Sequence, residues 1–463
     1  MTAEIDCGMA QAPYSNKGNL REGEIRKHLF RLAGQMSWGI LTVISFHLVN
    51  TFYISFLGTQ KLAAMAFTFP VTYGIFAIVL GFAIAMSSVL SRLIGEGNTE
   101  AIHRVTTHGL LAVLLFCLAL TGLGFWWQDE IFILLGASDE MRPLIHQYMT
   151  PWLAGMVFIS LPMIGNSALR AAGDAFIPAV IMTIAAVVNV IVDPILIFGL
   201  FGFPRLELQG AAITTVCANA AAMFAGLYFV HFRKKLTDLR YLRDFSQFGD
   251  SVKRLFVIAL PVGLANAIQP VVNAFIVSLL ALSGPAAVAA FGVVTRIEAF
   301  AFAILMGLAG GMSPIIGQNF GARNFARVNE TLHLAMRFTA GWCVLTAVIL
   351  AAFARPIAGL FSNDPAVVDY TVLFFWIVPF SYIFSNLFRG WASAFNAMGM
   401  PQRSFMMIVV EMIVLMLPAV WIGHKMGGVS GIFIAIAAVN VIVGTVFHIW
   451  SWKICKRLEA QAA

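Results

Sequence analysis

Long apolar runs limit the architecture of this chain more than any other feature of its sequence. Of its 463 residues, 60% are hydrophobic and only 11% are charged, whereas soluble domains carry about 25% charged residues. Apolar runs of about 20 residues, enough to cross roughly 30 Å of hydrocarbon, occur about six times in each half. We predict spans at 32–56, 63–90, 108–127, 146–168, 178–201, 210–231, 256–282, 287–314, 331–353, 371–394, 405–422 and 430–452. The runs are continuously apolar rather than alternating, which favours helices over a membrane barrel.

The two halves of the chain resemble each other. VNTF at 49–52 and AAMA at 63–66 recur as VNAF at 272–275 and AAVA at 286–289, each with a shift of 223 (272 minus 49). Further along the shift becomes 226, which aligns Gly173 with Gly399. A repeat with an even number of spans gives both halves the same orientation in the membrane. The sequence therefore predicts an all-α membrane protein of twelve helices in two pseudo-symmetric six-helix lobes, a pattern typical of transporters.

Basic residues indicate the orientation, because Lys and Arg accumulate on the cytoplasmic side. They precede the first span and fill the link between the halves, at Lys17, Arg21, Arg26, Lys27, Arg31, Arg233, Lys234, Lys235, Arg240, Arg243, Lys253 and Arg254. We predict a cytoplasmic arm at 1–24, a first lobe at 25–232, a basic linker at 233–254, and a second lobe with a short cytoplasmic tail at 255–463. The polar start of the arm, to about residue 22, is expected to be disordered or surface-lying. Membrane topology accounts for the pI near 9.3, so no nucleic-acid partner is expected.

The five cysteines do not form a recognisable framework. Their number is odd and most of them lie inside predicted spans, at Cys7, Cys117, Cys217, Cys343 and Cys455. We interpret them as free thiols in packing roles, with neither a disulfide nor a metal site.

Three segments carry a family resemblance that covers residues 25 to 455. They are VNTFYISFLGTQKLAAMAF at 49–67, NSALRAAGDAFIPAVIMTIAAVVNVIVDPILIFG at 166–199, and RIEAFAFAILMGLAGGMSPIIGQNFGARN at 296–324. The chain resembles the multidrug and toxic compound extrusion (MATE) transporters, and a polar pair in the fifth span with a Glu in the eighth is similar to the DinF-like branch. The resemblance implies two lobes forming a V around a central cavity, and export of organic, often cationic amphipathic compounds against a proton or sodium gradient. It also implies a multi-pass protein of the bacterial inner membrane.

Asp193 is the strongest candidate for a coupling residue. A carboxylate inside an apolar span costs several kcal/mol and is by default a functional hypothesis. Asn189 lies one turn earlier on the same helix face. Pro194 has no backbone N–H, so a carbonyl one turn back is expected to be free for an ion, water or substrate. The alternative is an Asp that pairs with a neighbouring helix only to hold the bundle together.

The first span departs from the family pattern at Asn50, where many relatives have Asp. An amide can hydrogen-bond to Asp193 but cannot titrate, so a scheme with two carboxylates fails here. His47, one turn away, titrates near neutral pH in water, although a hydrogen-bonded packing role is the alternative. This span also lacks a proline, so a bend proposed for some relatives would need a looser region around Gly34, Ser37 and Gly39.

The second lobe offers two carboxylates within its spans. Glu298 lies in the eighth span as a candidate ion or cation site, and Glu411 lies in the eleventh as a weaker candidate. Arg296 is only two residues from Glu298, so the two side chains point to separate helix faces and do not neutralise each other. Further candidates on spans seven and ten are Gln269, Asn273, Tyr382 and Asn386, for which interhelical hydrogen bonding is an equal alternative. In the eighth span, Gly307, Gly310 and Gly311 are expected to allow close helix packing.

We predict a secondary antiporter that exports amphipathic organic compounds, with no cofactor and with protons favoured over sodium as the coupling ion. Its partners would be small organic substrates and the lipid bilayer, and the chain would act as a monomer. The alternatives are a flippase for lipid-linked sugars, an exporter of an endogenous metabolite, and a membrane-embedded enzyme. The sequence has no HExxH, GxSxG or phosphate-loop motif, which argues against the usual hydrolytic or ATP-driven chemistry.

Overall fold

The computed structural model describes residues 19–462, and the first lobe consists of six helical spans. We label them α1 (Ile25–Ser55), α2 (Thr59–Glu96), α3 (Thr99–Leu134), α4 (Arg142–Ala154 and Met156–Ala171), α5 (Phe176–Phe198) and α6 (Glu207–Tyr228). The two parts of α4 meet at an angle of 49°, next to Pro151 and Gly155. A π-helical turn, Phe229–Arg233, extends α6 toward the linker.

The second lobe begins earlier than the sequence predicts. It contains α7 (Phe248–Ala281), α8 (Pro285–Gly321), α9 (Phe325–Ala352) and α10 (Pro365–Ile377 and Tyr382–Ala397), with a short helix, Ala354–Gly359, between α9 and α10. The expected linker ends at residue 254, whereas α7 starts at Phe248 and includes Lys253 and Arg254. Charged residues at the end of a span continue the helix, because its last turns lie outside the hydrocarbon.

The last helical stretch, Pro401–Ala460, is two spans and not one. A straight helix of that length would measure about 90 Å. Gly428 has a φ of +57°, and a methyl group on Gly423 would stand 2.8 Å from the carbonyl carbon of Gly431. Eight residues along a straight helix are about 12 Å apart, so the chain reverses here. This gives α11 (401–426) and α12 (429–462), and twelve spans within the described part of the chain.

The lobes pack against each other through α1 with α8 and through α2 with α7. A methyl group on Gly311 would overlap with the backbone of Ala33, and one on Gly81 would overlap with that of Ala259. These close approaches lie on the side of the molecule that carries the linker 234–247, which we call the linker side. Toward the other end of α1, the side chains of Leu48 and Phe52 are exposed. The lobes are therefore closed together on the linker side.

The start of α1 is tightly packed at Ser37, so the looser region that a bend without a proline would need is not found there. Ser37 donates a hydrogen bond to the Ile304 carbonyl at 3.3 Å and lies against Gly307 of α8. Gly39 packs against Ala179 of α5, and only Gly34 has open space around it. The glycines of α8 remove side-chain bulk, so the backbone of α1 approaches closely and cannot bend freely at Ser37.

The residues before α1 form an ordered strap. Leu20 is fully buried, so the prediction of a disordered or surface-lying arm is wrong at this position. Its N–H donates to Gln318 Oε1 at 3.0 Å, and its carbonyl accepts from Asn319 Nδ2 at 3.2 Å. Gln318 Nε2 in turn donates to the Ala171 carbonyl of the first lobe at 2.8 Å. The strap, residues 19–21, thus joins both lobes on the linker side.

The linker is held against α3 by a buried histidine. His108 is fully buried, and its Nε2 lies 3.1 Å from the carbonyl oxygens of both Tyr241 and Asp244. Its Nδ1 lies 3.1 Å from Ser251 Oγ at the start of α7. The linker and the first turn of α7 are therefore fixed to the first lobe.

Four cysteines fall within the described residues, and all are free thiols. Cys117, Cys343 and Cys455 are buried and Cys217 is exposed. Cys7 lies outside the described residues. Burial of three thiols agrees with the predicted packing role, because a free cysteine behaves as a small hydrophobic side chain.

Candidate functional site

The first lobe contains a buried pair between α1 and α5. Asp193 is completely buried, and Asn50 is almost completely buried. Asn50 Nδ2 donates to Asp193 Oδ2 over 2.8 Å, the hydrogen bond that the sequence predicted across helices. No Lys, Arg or His side chain among the described residues lies within 4.0 Å of this carboxylate. The Asp193 carboxylate therefore depends on an amide, rather than on a cation, for its stabilisation.

Two oxygen atoms at this site have no hydrogen-bond donor among residues 19–462. They are Asp193 Oδ1 and Asn189 Oδ1. Asn189 uses its amide nitrogen within its own helix, donating to the Ala185 carbonyl at 2.8 Å. The hydroxyl of Thr214 and the buried ring of Tyr148 lie beside the Asp193 carboxylate. Buried acceptors are nearly always satisfied, so two of them together can receive a proton or a cation.

Pro194 has no backbone N–H, so the carbonyl one turn back lacks its usual helical donor. Another side chain nevertheless donates a hydrogen bond to that carbonyl. The carbonyl one turn back belongs to Val190, and the hydroxyl of Tyr53 on α1 donates to it at 3.4 Å. The expectation that this carbonyl is available to an ion or substrate is therefore corrected. Sequence reasoning missed Tyr53, because only the register of α1 against α5 brings it opposite Val190.

His47 lies on a different part of α1 from the buried pair. Its side chain is exposed, its ring contacts Phe46, and it makes no side-chain hydrogen bond to the described residues. The alternative of a hydrogen-bonded packing residue is therefore wrong. His47 takes no part in the hydrogen bond between Asn50 and Asp193.

The second lobe encloses a cavity of about 360 Å³ between α7, α8, α9, α10, α11 and α12. Six residues singled out in the sequence line it: Gln269, Asn273, Glu298, Tyr382, Asn386 and Glu411. The hydroxyl of Tyr382 donates to Glu298 Oε1 at 2.7 Å. Most of the remaining wall is apolar, and five methionines contribute to it: Met306, Met312, Met336, Met412 and Met416. A mainly apolar cavity with a few convergent polar groups is typical of a small-molecule site.

Glu411 occupies an irregular stretch of α11. The segment Val410–Met416 is π-helical, a rare geometry that is frequent at functional sites. Glu411 is only 2% exposed and shares the cavity with Arg389. Arg389 donates weakly to Gln269 Oε1 at 3.4 Å and makes no ion pair with either carboxylate at 4.0 Å or less within the described chain. The cavity therefore contains two carboxylates and one guanidinium without a direct ion pair between them.

The other polar residues of the cavity are bonded mainly within their own helices. Gln269 Nε2 donates to Asn273 Oδ1 at 3.2 Å, and Asn386 Nδ2 donates to the Tyr382 carbonyl at 2.9 Å. These contacts do not support interhelical bonding as the role of Asn273 or Asn386. Arg296 is exposed, and it makes no ion pair with Glu298 within the described residues, which agrees with the prediction of separate faces.

Arg389 and Asn440 also line the cavity, although neither was selected as a candidate from the sequence. Asn440 of α12 donates to Ser381 Oγ at 2.9 Å, and Arg389 of α10 brings a guanidinium into the cavity. Both are isolated polar residues in apolar runs, so a systematic search for such residues would have found them. Among residues 19–462, no group of three His, Cys, Asp or Glu side chains could hold a metal ion.

Comparison with known proteins agrees with the two-lobe architecture. The MatE family model matches residues 37–195 and 261–422. A curated relative from Shewanella oneidensis, described as an FAD transporter, is 37% identical over 425 residues, which is 92% of this chain and 94% of that protein. The multidrug export protein MepA of Staphylococcus haemolyticus is 24% identical over 445 residues, covering 96% of each chain.

Solved structures show the same architecture. A mutant of the Vibrio cholerae MATE transporter VcmN superposes with a TM-score of 0.89 at 29% identity, covering 94% of this chain and 97% of that one. The family model matches well over half of the chain in two segments, one in each lobe. Together with twelve apolar spans and a buried polar site in each lobe, these matches show that the chain belongs to the multidrug and toxic compound extrusion family of membrane transporters.

Proposed function

We propose that this transporter is a secondary antiporter that exports amphipathic organic molecules, and that a proton taken up by Asp193 drives each export step. The observation that carries the proposal is the buried Asp193 carboxylate, which has Asn50 on one oxygen and no donor on the other among the described residues. An uncompensated buried charge costs several kcal/mol, and uptake of a proton removes that cost.

A proton fits this site better than a sodium ion does. Hard cations bound by oxygen take about six or more ligands. At this site only two buried side-chain oxygens have no donor among the described residues, Asp193 Oδ1 and Asn189 Oδ1, and Tyr53 occupies the Val190 carbonyl. Asn50 cannot titrate, so one proton per site is the simplest stoichiometry.

The positive-inside rule supports a cytoplasmic position for the linker side in a bacterial cell membrane. The described conformation, closed on the linker side, would then be open toward the exterior. Export would require the reverse conformation, in which the contacts of α1 with α8 and of α2 with α7 on this side separate. The first lobe, 25–232, and the second lobe, which begins with α7 at Phe248, would be the moving units.

The substrate proposal rests on the cavity of the second lobe. Glu298 and Glu411 provide negative charge for an organic cation, and flexible methionines adapt to molecules of varied shape. A second candidate is a flavin dinucleotide, because the Shewanella oneidensis relative is described as an FAD transporter. Arg389 in the cavity and the exposed Arg296 outside its lining favour this candidate, since neither makes an ion pair within the described residues and guanidinium groups bind phosphate well. A lipid-linked sugar phosphate would need the same two arginines.

Transport in proteoliposomes tests the coupling proposal. Wild type and Asp193→Asn would be compared under an imposed pH gradient and, separately, under a sodium gradient, with a cationic dye or FAD as substrate. The matched control is Glu130→Gln, which removes an exposed carboxylate outside both sites. We expect Asp193→Asn to abolish transport driven by the pH gradient, whereas Glu130→Gln and a sodium gradient have no effect. Transport by Asp193→Asn at the wild-type rate would refute proton coupling at this residue.

Competition separates the substrate candidates in the same vesicles. Inhibition of dye export by FAD, lost in Arg389→Gln, would favour the flavin dinucleotide. Inhibition by cationic dyes alone, lost in Glu298→Gln, would favour organic cations. Transport of a lipid-linked sugar without competition from either compound would favour the flippase alternative.

A further inference from the structure

A groove of about 560 Å³ lies between the two lobes on the linker side, separate from both polar sites. The last turns of α2 form one wall, the first turns of α7 form the other, and Gly399 between α10 and α11 closes the end. Three basic side chains line the groove, Arg92 from the first lobe and Lys253 and Arg254 from the second. The groove therefore exists only while α2 and α7 are packed together.

The three cations converge without a bonded anion. Arg92 uses its Nε to donate to the Ser88 carbonyl at 3.2 Å, and its terminal nitrogens have no hydrogen-bond partner among the described residues. Lys253 and Arg254 make neither a hydrogen bond nor an ion pair within residues 19–462. Glu96 and Asp250 also line the groove, so its charged residues number three positive and two negative. Arg92 is close enough to Glu96 to be attracted by its carboxylate, without an ion pair at 4.0 Å or less among the described residues, and close enough to Arg254 for the two cations to repel each other.

Gly399 makes room for the Arg92 guanidinium. Its φ of +76° favours glycine, and a Cβ at this position would stand 2.9 Å from the Arg92 Nη2. A side chain here would displace the guanidinium. The backbone of the second lobe thus leaves space for an arginine of the first lobe that faces two further cations, an arrangement suited to an anion.

The groove opens toward apolar surface. Val257 lines it, and the exposed side chains of Phe256 and Leu260 follow on the same helix. Since α7 is a membrane span, these exposed side chains face hydrocarbon. Basic residues followed directly by lipid-facing residues lie at the depth of phospholipid headgroups, whereas a soluble anion would not need the apolar border.

We propose that this groove binds the phosphate of an anionic phospholipid between Arg92, Lys253 and Arg254. Because the ligand contacts both lobes, its binding favours the conformation that is closed on the linker side. The membrane's content of anionic lipid would then regulate the distribution of the transporter between its two conformations.

Lipid titration of the purified full chain tests the proposal. Phosphatidylglycerol would be added to protein in phosphatidylcholine nanodiscs, and bound lipid would be counted by native mass spectrometry. The test variant is Lys253→Gln with Arg254→Gln, and the matched control is Arg240→Gln with Arg243→Gln, which removes two exposed linker charges outside the groove. We expect the test variant to bind the lipid about 30-fold more weakly, or about 2 kcal/mol, and the control to change little.

Two results would overturn the proposal. Equal weakening in both double variants would show only diffuse attraction of lipid to basic surface. Displacement of the lipid by inorganic phosphate at equal concentration would assign the groove to a soluble anion instead of a lipid. Thermal unfolding of each variant in phosphatidylcholine alone checks that the substitutions leave the fold intact.

Discussion

Leu20 offers a direct test of what holds the lobes together on the linker side. Its side chain is fully buried in a core cluster that consists mostly of second-lobe residues, although it precedes the first helix of the first lobe. Leu20→Ala removes three carbon atoms from this position, and the loss for a fully buried leucine is typically about 3 kcal/mol. The backbone hydrogen bonds of residue 20 to Gln318 and Asn319 do not depend on the side chain and are expected to remain.

The energy lost depends on the conformation. If the strap leaves its site when the lobes separate on the linker side, Leu20 stabilises only the closed form. A change of 1.4 kcal/mol alters an equilibrium tenfold, so Leu20→Ala should shift the ratio of closed to open forms by about 100-fold. Leu239→Ala, at an exposed linker position, is the control and should leave this ratio unchanged.

Spin labels measure this ratio. Glu100 of α3 and Glu330 of α9 are exposed residues near the ends of helices on the linker side, one in each lobe. Both accept a labelled cysteine once Cys7 and the exposed Cys217 are replaced by serine. Electron–electron distance measurements in nanodiscs then report the separation of the lobes. We expect a longer distance to become dominant in Leu20→Ala. An unchanged distance distribution together with a lower melting temperature would refute the reasoning, because Leu20 would then stabilise both conformations equally.

Two further substitutions test the close packing of the lobes and the cavity of the second lobe. Gly311→Ala places a methyl group against the backbone of Ala33, so it should hinder closure of the lobes and lower the transport rate at least about tenfold. The control is Gly341→Ala, because an added methyl group there would have no neighbouring atom within 4 Å. This variant should transport normally and unfold at a slightly higher temperature. Tyr382→Phe removes the donor to Glu298, which costs about 1–3 kcal/mol, and should weaken competition by cationic dyes by about tenfold or more, whereas unchanged competition would exclude a role for this hydrogen bond in binding.

The spans and the paired polar residues of the first lobe could be predicted because their signals are local or repeated. Apolarity over about 20 residues identifies each span, and the separate runs at 405–422 and 430–452 anticipated the reversal at Gly427 and Gly428. Asn50 and Asp193 stand out as polar residues within apolar runs, and the family pattern suggested that they meet. The structure confirms their hydrogen bond.

Features that depend on tertiary register could not be predicted. The burial of Leu20 has no periodic signal, because a single leucine in a polar segment is usually exposed. The contact of Tyr53 with the Val190 carbonyl requires the rotation of α1 against α5 to be known. The tight packing of Ser37 depends on Gly307 of another helix, so the sequence around Ser37 alone could not show it.

The attachment of the linker to α3 through His108 determines where movement of the second lobe can be large. Ser251, at the start of α7, is held to the first lobe by the same histidine, so this end of the helix acts as a pivot while that contact holds, and α2 and α7 separate on the linker side only after it breaks. With 34 residues, α7 is about 51 Å long. A tilt of about 10° around that pivot moves the far end of α7 by roughly 9 Å, while the first turn hardly moves. A small rotation at the linker is thus amplified along α7 into an opening on the opposite side that is wide enough for a drug-sized molecule.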